Sequence, residues 1–285
     1  FQALSANLRA SLPDSPTAQT EANAGPFAVS GGIAGSSAGQ GDYFYDSATG
    51  ILHIQSSVEL TISTPSETSS SIQIDAGVKG ELILAGVKIS SSALSPLHLV
   101  TNLYDTQDGS RATEGSQIVH QTSLYLKIAD GTSNSLKSLA VENAGIYCGE
   151  GSELVIDDAC DNRAPTGEMA VVKGAKVVQS ITLKNGKTIR AGSSSVELDS
   201  PNPGTLEVLG GGGGGAGIGS TAYENGGTIT INGGNIRVDV QGSDQQFNAG
   251  TSFSAGIGAG SQGDGTATAI TINGGNIEAQ GGCHG

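Results

Sequence analysis

The chain has no Trp, one Met, three Cys and only 4% aromatic residues over 285 positions. Sugar binding generally uses exposed aromatic faces, so any platform of that kind must come from a handful of tyrosines. Basic residues are scarce too: 13 Lys and Arg stand against 27 Asp and Glu, a formal net charge of −14. Neutralising phosphates needs clustered cations, so this balance argues against nucleic acid and against anionic membrane surfaces. It leaves a neutral glycan, a cationic surface or an anionic polymer bridged by Ca²⁺ as partners, beside the plainer role of keeping the protein soluble.

Other signals are missing as well. No apolar run approaches bilayer length, and Phe1-Gln2-Ala3-Leu4-Ser5 lacks a basic region followed by an apolar core. Starting without Met, the chain reads as a processed product or a fragment. The glycines at 210–215 have no Lys-Ser/Thr after them and so form no phosphate loop. His53, His98, His120 and His284 are scattered, with no zinc-binding or nucleophile-elbow motif around them.

What is present is glycine, 45 residues of it, recurring beside alternating β-branched residues. Residues 1–41 are rich in Ala, Ser, Pro and Gly and are expected to be a flexible or capping leader. From Asp42 onward short runs alternate with the period of a half-buried strand: Ile51-Leu52-His53-Ile54, Ser71-Ile72-Gln73-Ile74 and Ser123-Leu124-Tyr125-Leu126-Lys127-Ile128 are examples. A polar insertion, Tyr104 to Ser116, and an acidic excursion, Asp157 to Gly167, interrupt them.

An internal repeat organises the C-terminal part. Ile229-Thr230-Ile231-Asn232-Gly233-Gly234-Asn235-Ile236 recurs at Ile270–Ile277, and Ala216-Gly217-Ile218-Gly219 recurs at Ala255–Gly258. Ile181 to Ile189 is a weaker echo of the octet. Units containing only strand and turn must pair by winding into a parallel solenoid, so an all-β β-solenoid over residues 42–285 is expected. At roughly 20 residues per coil, the period near 40 would be two coils, with Asn232 two coils from Asn273. Inward Ile residues stack between coils, Asn-Gly-Gly turns the corners, and Ala-Gly-Ile-Gly sits where backbones approach closely. A β-propeller, with a similar period, is the competing repeat fold.

Ala-Gly-Ile-Gly, Gly-Thr-Ile-Thr-Ile-Asn-Gly-Gly and Gly-Gly-Cys-His-Gly together resemble the glycine-rich repeats of large bacterial surface proteins described as containing carbohydrate-binding domains. The stretches Ile74–Ile89 and Leu126–Leu136 fit as well, so the resemblance covers most of residues 45–285. It implies a right-handed, single-stranded parallel β-helix, export to a cell surface, and for some relatives Ca²⁺-dependent binding of acidic polysaccharide. It also implies that the chain is the front of a longer protein. No metal-ligand motif carries over residue by residue.

Candidate sites are few. Asp157, Asp158 and Asp161, with Asn162, are oxygen donors of the type Ca²⁺ takes, although EF-hand and nonapeptide spacings are absent; a solvated acidic loop is the alternative. Asp105 and Asp108 form a weaker pair. Tyr43 and Tyr45 share a strand face, with Phe44 between them, and either present rings to a ligand or cap the first coil. Tyr104 is a further ligand-binding candidate. A Cys148–Cys160 disulfide would join two turns of one coil, two buried thiols being the alternative; Cys283 has no evident partner. Glu153 and Asp157 suit glycoside hydrolysis only if folding sets their separation.

The resulting expectation is a non-enzymatic, extracellular adhesin-type module that binds a polysaccharide or a cell-surface glycoprotein. No cofactor is expected, with Ca²⁺ on the acidic run as the alternative. The alternatives are a stalk or filament subunit that mates with copies of itself and, less well supported, a polysaccharide lyase or glycosidase.

Overall fold

The computed structural model describes residues 22–100, 102–103, 118–119, 121–159, 172–173, 176–177, 181–182, 188–189, 204–241, 254–263 and 268–282. Among them there is no helix, and most strand pairs are parallel.

The chain opens with antiparallel strands. β1 (Ala22–Ala24) and β2 (Phe27–Ser30) form a hairpin whose second strand pairs antiparallel with β5 (Glu59–Ser63). β3 (Tyr43–Asp46) pairs antiparallel with β4 (Ile51–Ile54). Phe27 and Val29 are buried in the common core, so residues 22–41 are an integral end piece of the body.

Beyond this end the pairing becomes parallel. β6 (Ser71–Ile74) joins β4, and β7 (Lys79–Leu84) joins β5. From β7 onward the chain visits three sheets in fixed rotation. β7, β12 (Ser123–Ala129), β15 (Glu153–Ala159), β22 (Thr228–Ile231) and β25 (Ala269–Ile272) lie in sheet 1. β8 (Lys88–Ser91), β13 (Ser133–Ser138), β20 (Thr205–Gly210), β23 (Asn235–Val240) and β26 (Asn276–Ala279) form sheet 2. β9 (Leu97–Leu99), β14 (Ile146–Tyr147), β21 (Ile218–Gly219) and β24 (Ile257–Gly258) continue sheet 3, which β3, β4 and β6 begin. Propeller blades need antiparallel neighbours, which the three-sheet rotation from β7 onward does not provide.

Short antiparallel pairs lie outside the rotation. β10 (Asn102–Leu103) and β11 (Ile118–Val119) bracket the expected insertion, which itself lies outside the described residues. β16 (Val172–Lys173) pairs with β17 (Lys176–Val177), and β18 (Ile181–Thr182) with β19 (Thr188–Ile189). In the echo at 181–189, Ile181 and Thr182 therefore pair antiparallel with Ile189 and Thr188 and not with the stacked octets.

Circuit length also departs from expectation. Thr228 pairs directly with Ala269, and Ile229 with Ile270, so the 41-residue period is one circuit and not two. Asn232 and Asn273 are immediate neighbours, Asn273 Nδ2 donating to Asn232 Oδ1 at 2.9 Å. A circuit carries three strands and three corners, which takes 30 residues where Ser123 meets Glu153. Extra residues between strands lengthen others, up to 75 where Glu153 meets Thr228.

Register turns alternation into columns. Leu60, Leu82, Leu126, Ile156, Ile231 and Ile272 are successive partners along sheet 1, and the first five are fully buried. Burying each aliphatic side chain contributes on the order of 2 kcal/mol. The Ala-Gly-Ile-Gly segments stack in register, and a Cβ on Gly217 would lie 2.2 Å from Val238 Cγ1. At the Asn-Gly-Gly corners, Gly234 and Gly275 hold φ of +94° and +95°, a region other residues rarely adopt. Gly233 does not; it is confined instead by Asp157 Oδ1, 3.0 Å from where a Cβ would sit.

Candidate functional site

Each sheet turns alternate side chains outward, and the outer face of sheet 1 collects polar ones. Register aligns Glu59, Glu81, Tyr125, Val155 and Thr230 in one row, and Lys79, Ser123, Glu153 and Thr228 in the next. Between these rows lies an open groove of about 310 Å³ lined by Ser57, Lys79, Glu81, Tyr125, Glu153 and Val155, among others.

Tyr125 is fixed within it. Its hydroxyl donates to Asp157 Oδ2 at 2.5 Å, and Lys127 Nζ stands 5.2 Å from its ring centroid. Lys127 in turn bridges two carboxylates, Glu59 Oε2 at 2.7 Å and Glu81 Oε1. Partial burial alone would lower the lysine pKa; the hydrogen bonds it donates to both glutamates, and their charges, outweigh that and raise it. The ring is thus held before any ligand arrives, flanked by carboxylates able to accept from hydroxyl groups.

Sheet 3 carries a different outer row, in which His53, Gln73, His98 and Tyr147 are successive partners. Phe44 stacks on His53 (centroids 4.5 Å apart) and His98 on Tyr147 (4.3 Å). His53 Nδ1 lies 2.9 Å from Asp75 Oδ1. Desolvation within this row lowers the His98 pKa to about 4.

The tyrosines expected to bind are placed differently. Tyr43 is fully buried and belongs to the core, with desolvation and then Asp42 raising its pKa. Tyr45 is half-buried, edge-on to Phe27, with its hydroxyl 2.9 Å from Ser70 Oγ. Both sit in the antiparallel end piece. Tyr104 lies outside the described residues.

The acidic run is divided by strand alternation. Asp157 is buried on the Tyr125 side. Asp158 falls on the inward row, directly after Ile62, Leu84 and Ile128 in register. Desolvation, with Asp130 and then Asp157 adding to it, pushes the Asp158 pKa up to about 6. Asp161, Asn162, Asp105 and Asp108 lie outside the described residues, among which no group of three or more His, Cys, Asp or Glu is arranged to hold a metal. Glu153 and Asp157, four residues apart on one strand, are separated by about 13 Å of backbone.

Cys148 is a buried free thiol that accepts from Ser152 Oγ at 3.2 Å; burial pushes its pKa to about 11. Cys160 and Cys283 lie outside the described residues.

Tyr125 was open to sequence reasoning. In Ser123-Leu124-Tyr125-Leu126-Lys127-Ile128, period two puts the tyrosine on the same face as the lysine and opposite the aliphatic residues. The cross-strand carriers of the groove, Glu59, Glu81 and Glu153, required the register.

Comparison with known proteins finds no matching family model, no matching curated protein and no matching solved structure. Among the described residues no helix is long and apolar enough to cross a membrane.

Proposed function

We propose that the chain is a right-handed, single-stranded parallel β-helix of an exported surface protein, and that its sheet 1 face binds a glycan without transforming it. The fixed rotation through three sheets supports the helix, and the usual hand of connections between parallel strands supports right-handedness. The resemblance to glycine-rich bacterial surface repeats supports export to a cell surface, where a polysaccharide or glycoprotein would be the partner.

The observation carrying the binding reading is the groove around Tyr125. A pre-oriented ring offers a stacking face at low entropic cost, and Glu81 and Glu153 beside it accept from sugar hydroxyls. The face carries both charge signs, Lys79 and Lys127 among the glutamates, which suits a neutral or amino sugar better than a polyanion. Recognition of this kind needs no calcium.

A glycan array probed with the purified chain, with Ca²⁺ and with EDTA, tests this. Saturable binding to neutral or amino-sugar glycans that persists in EDTA is expected. A blank array, or binding that EDTA abolishes, would count against the Tyr125 groove as the site.

A further inference from the structure

The groove around Tyr125 lies in the interior of sheet 1. β7, β12 and β15 build it, and each of them pairs on both sides, with β5 and β22 as the outer neighbours.

Its charges fall into two groups. Lys127 is engaged by Glu59 and Glu81, and Asp157 accepts from the Tyr125 hydroxyl. Lys79 and Glu153 are not engaged: among the described residues neither side chain makes a hydrogen bond or an ion pair. Both line the groove, Lys79 exposed and Glu153 half-buried.

Register fixes how these two stand. Lys79, Ser123 and Glu153 are successive partners in one row. Two strand spacings put the Lys79 and Glu153 backbones about 10 Å apart. The ammonium and the carboxylate thus stand on either side of Ser123 without meeting. Tyr125 is on the middle strand, β12, two residues beyond Ser123 and on the same face. A sugar stacked on its ring has Lys79 on the β7 side and Glu153 on the β15 side.

A ligand that satisfies both flanks carries an ammonium toward Glu153 and a carboxylate toward Lys79. A polyanion would meet Glu153, and a polycation would meet Lys79. The other charges there, Glu59, Glu81 and Asp157 against Lys127, leave an acidic excess that favours the ammonium further. Because Lys79 and Glu153 stand on strands that are not neighbours, the two ligand charges belong on adjacent sugar units.

We infer that the groove selects a zwitterionic saccharide, an amino sugar with a free ammonium joined to a uronic acid, and that Glu153 and Lys79 determine this specificity. The inference rests on the glycan reading of the same groove and deepens it.

The test uses four disaccharides of one linkage: glucuronic acid joined to glucosamine, the same with the amine acetylated, the same with glucose in place of glucuronic acid, and the form with both changes. Each is titrated calorimetrically into the full 285-residue chain at about pH 6, below the range in which an α-amino group loses its proton. Each matching charge should tighten binding roughly two- to fivefold, the range of an exposed ion pair. The zwitterion should then bind about tenfold more tightly than the neutral form. Glu153→Gln should abolish the gain from the amine and keep the gain from the carboxylate, and Lys79→Gln should do the reverse. Neither should move the melting temperature, since both side chains project from the outer face. Tyr125→Ala should weaken all four. Four probes bound alike by the parent, or gains that survive both charge substitutions, overturn the inference and leave the glycan groove standing. Binding of none of the four also overturns it, and a blank glycan array beside that result overturns the glycan reading as well.

Discussion

Asp158 and His98 are strained in opposite electrostatic senses by the same cause, loss of water. Asp158 holds its proton up to about pH 6 when folded, against about 3.9 in an unfolded chain. Its contribution to stability is full at low pH and is lost as pH rises through the folded value. His98 behaves in reverse: its folded pKa near 4 lies below the unfolded value near 6.5, so stability is lost as pH falls. The two slopes oppose each other between about pH 4 and 6 and each masks the other in the parent protein. In urea titrations across that window, Asp158→Asn should make stability rise more steeply with pH than in the parent, and His98→Phe should make it fall with pH relative to the parent. Parallel curves for all three proteins would show that neither group is desolvated. Asn134 tests a neutral buried residue. Its Oδ1 accepts from Gly86 N and Val87 N, both at 2.9 Å, and its Nδ2 donates to Thr132 Oγ1 and Thr205 O. Asn134→Ala orphans groups on neighbouring circuits and should cost about 3 kcal/mol in chemical denaturation.

At the scale of elements, the corner following Asn232 separates two roles that look alike in Asn-Gly-Gly. Gly234, at φ +94°, needs the left-handed region and has Ile128 Cδ1 2.7 Å from its missing Cβ, so Gly234→Ala should cost about 2 kcal/mol of stability. Asn232 holds the ladder to Asn273 and carries no positive φ. Sequence alone shows that a corner lies there but not which glycine bends it, since φ depends on where the following strand must join its sheet. Strands were legible for the same reason corners were: period two in Ser71–Ile74 and Ser123–Ile128 directly encodes a buried face. The antiparallel end piece was not legible, because Tyr43-Phe44-Tyr45 alternates in the same way whether Tyr43 points into the core or out of it. Nor was the antiparallel pairing of Ile181 and Thr182 with Ile189 and Thr188, in a segment that imitates the octet.

For the whole molecule, the all-β character and parallel stacking followed from repeated octets without room for a helix. The circuit length did not follow, because a repeat fixes the distance between equivalent residues and not the number of turns between them. The groove was hidden for a related reason. Glu59, Glu81, Tyr125 and Glu153 span nearly a hundred residues and become neighbours only through register across four circuits. On this account the glycan face is a property of stacking, so the rigid body positions the site and the ring supplies the contact. The most direct test is the affinity, by isothermal titration, of the best array glycan for the parent chain, for Tyr125→Ala, and for Tyr223→Ala, which removes a ring that is 64% exposed elsewhere on the body. Loss of about 1–2 kcal/mol or more, roughly a tenfold weakening, is predicted for Tyr125→Ala with Tyr223→Ala unchanged. Parent-like affinity in Tyr125→Ala, with its melting temperature intact, would contradict the account.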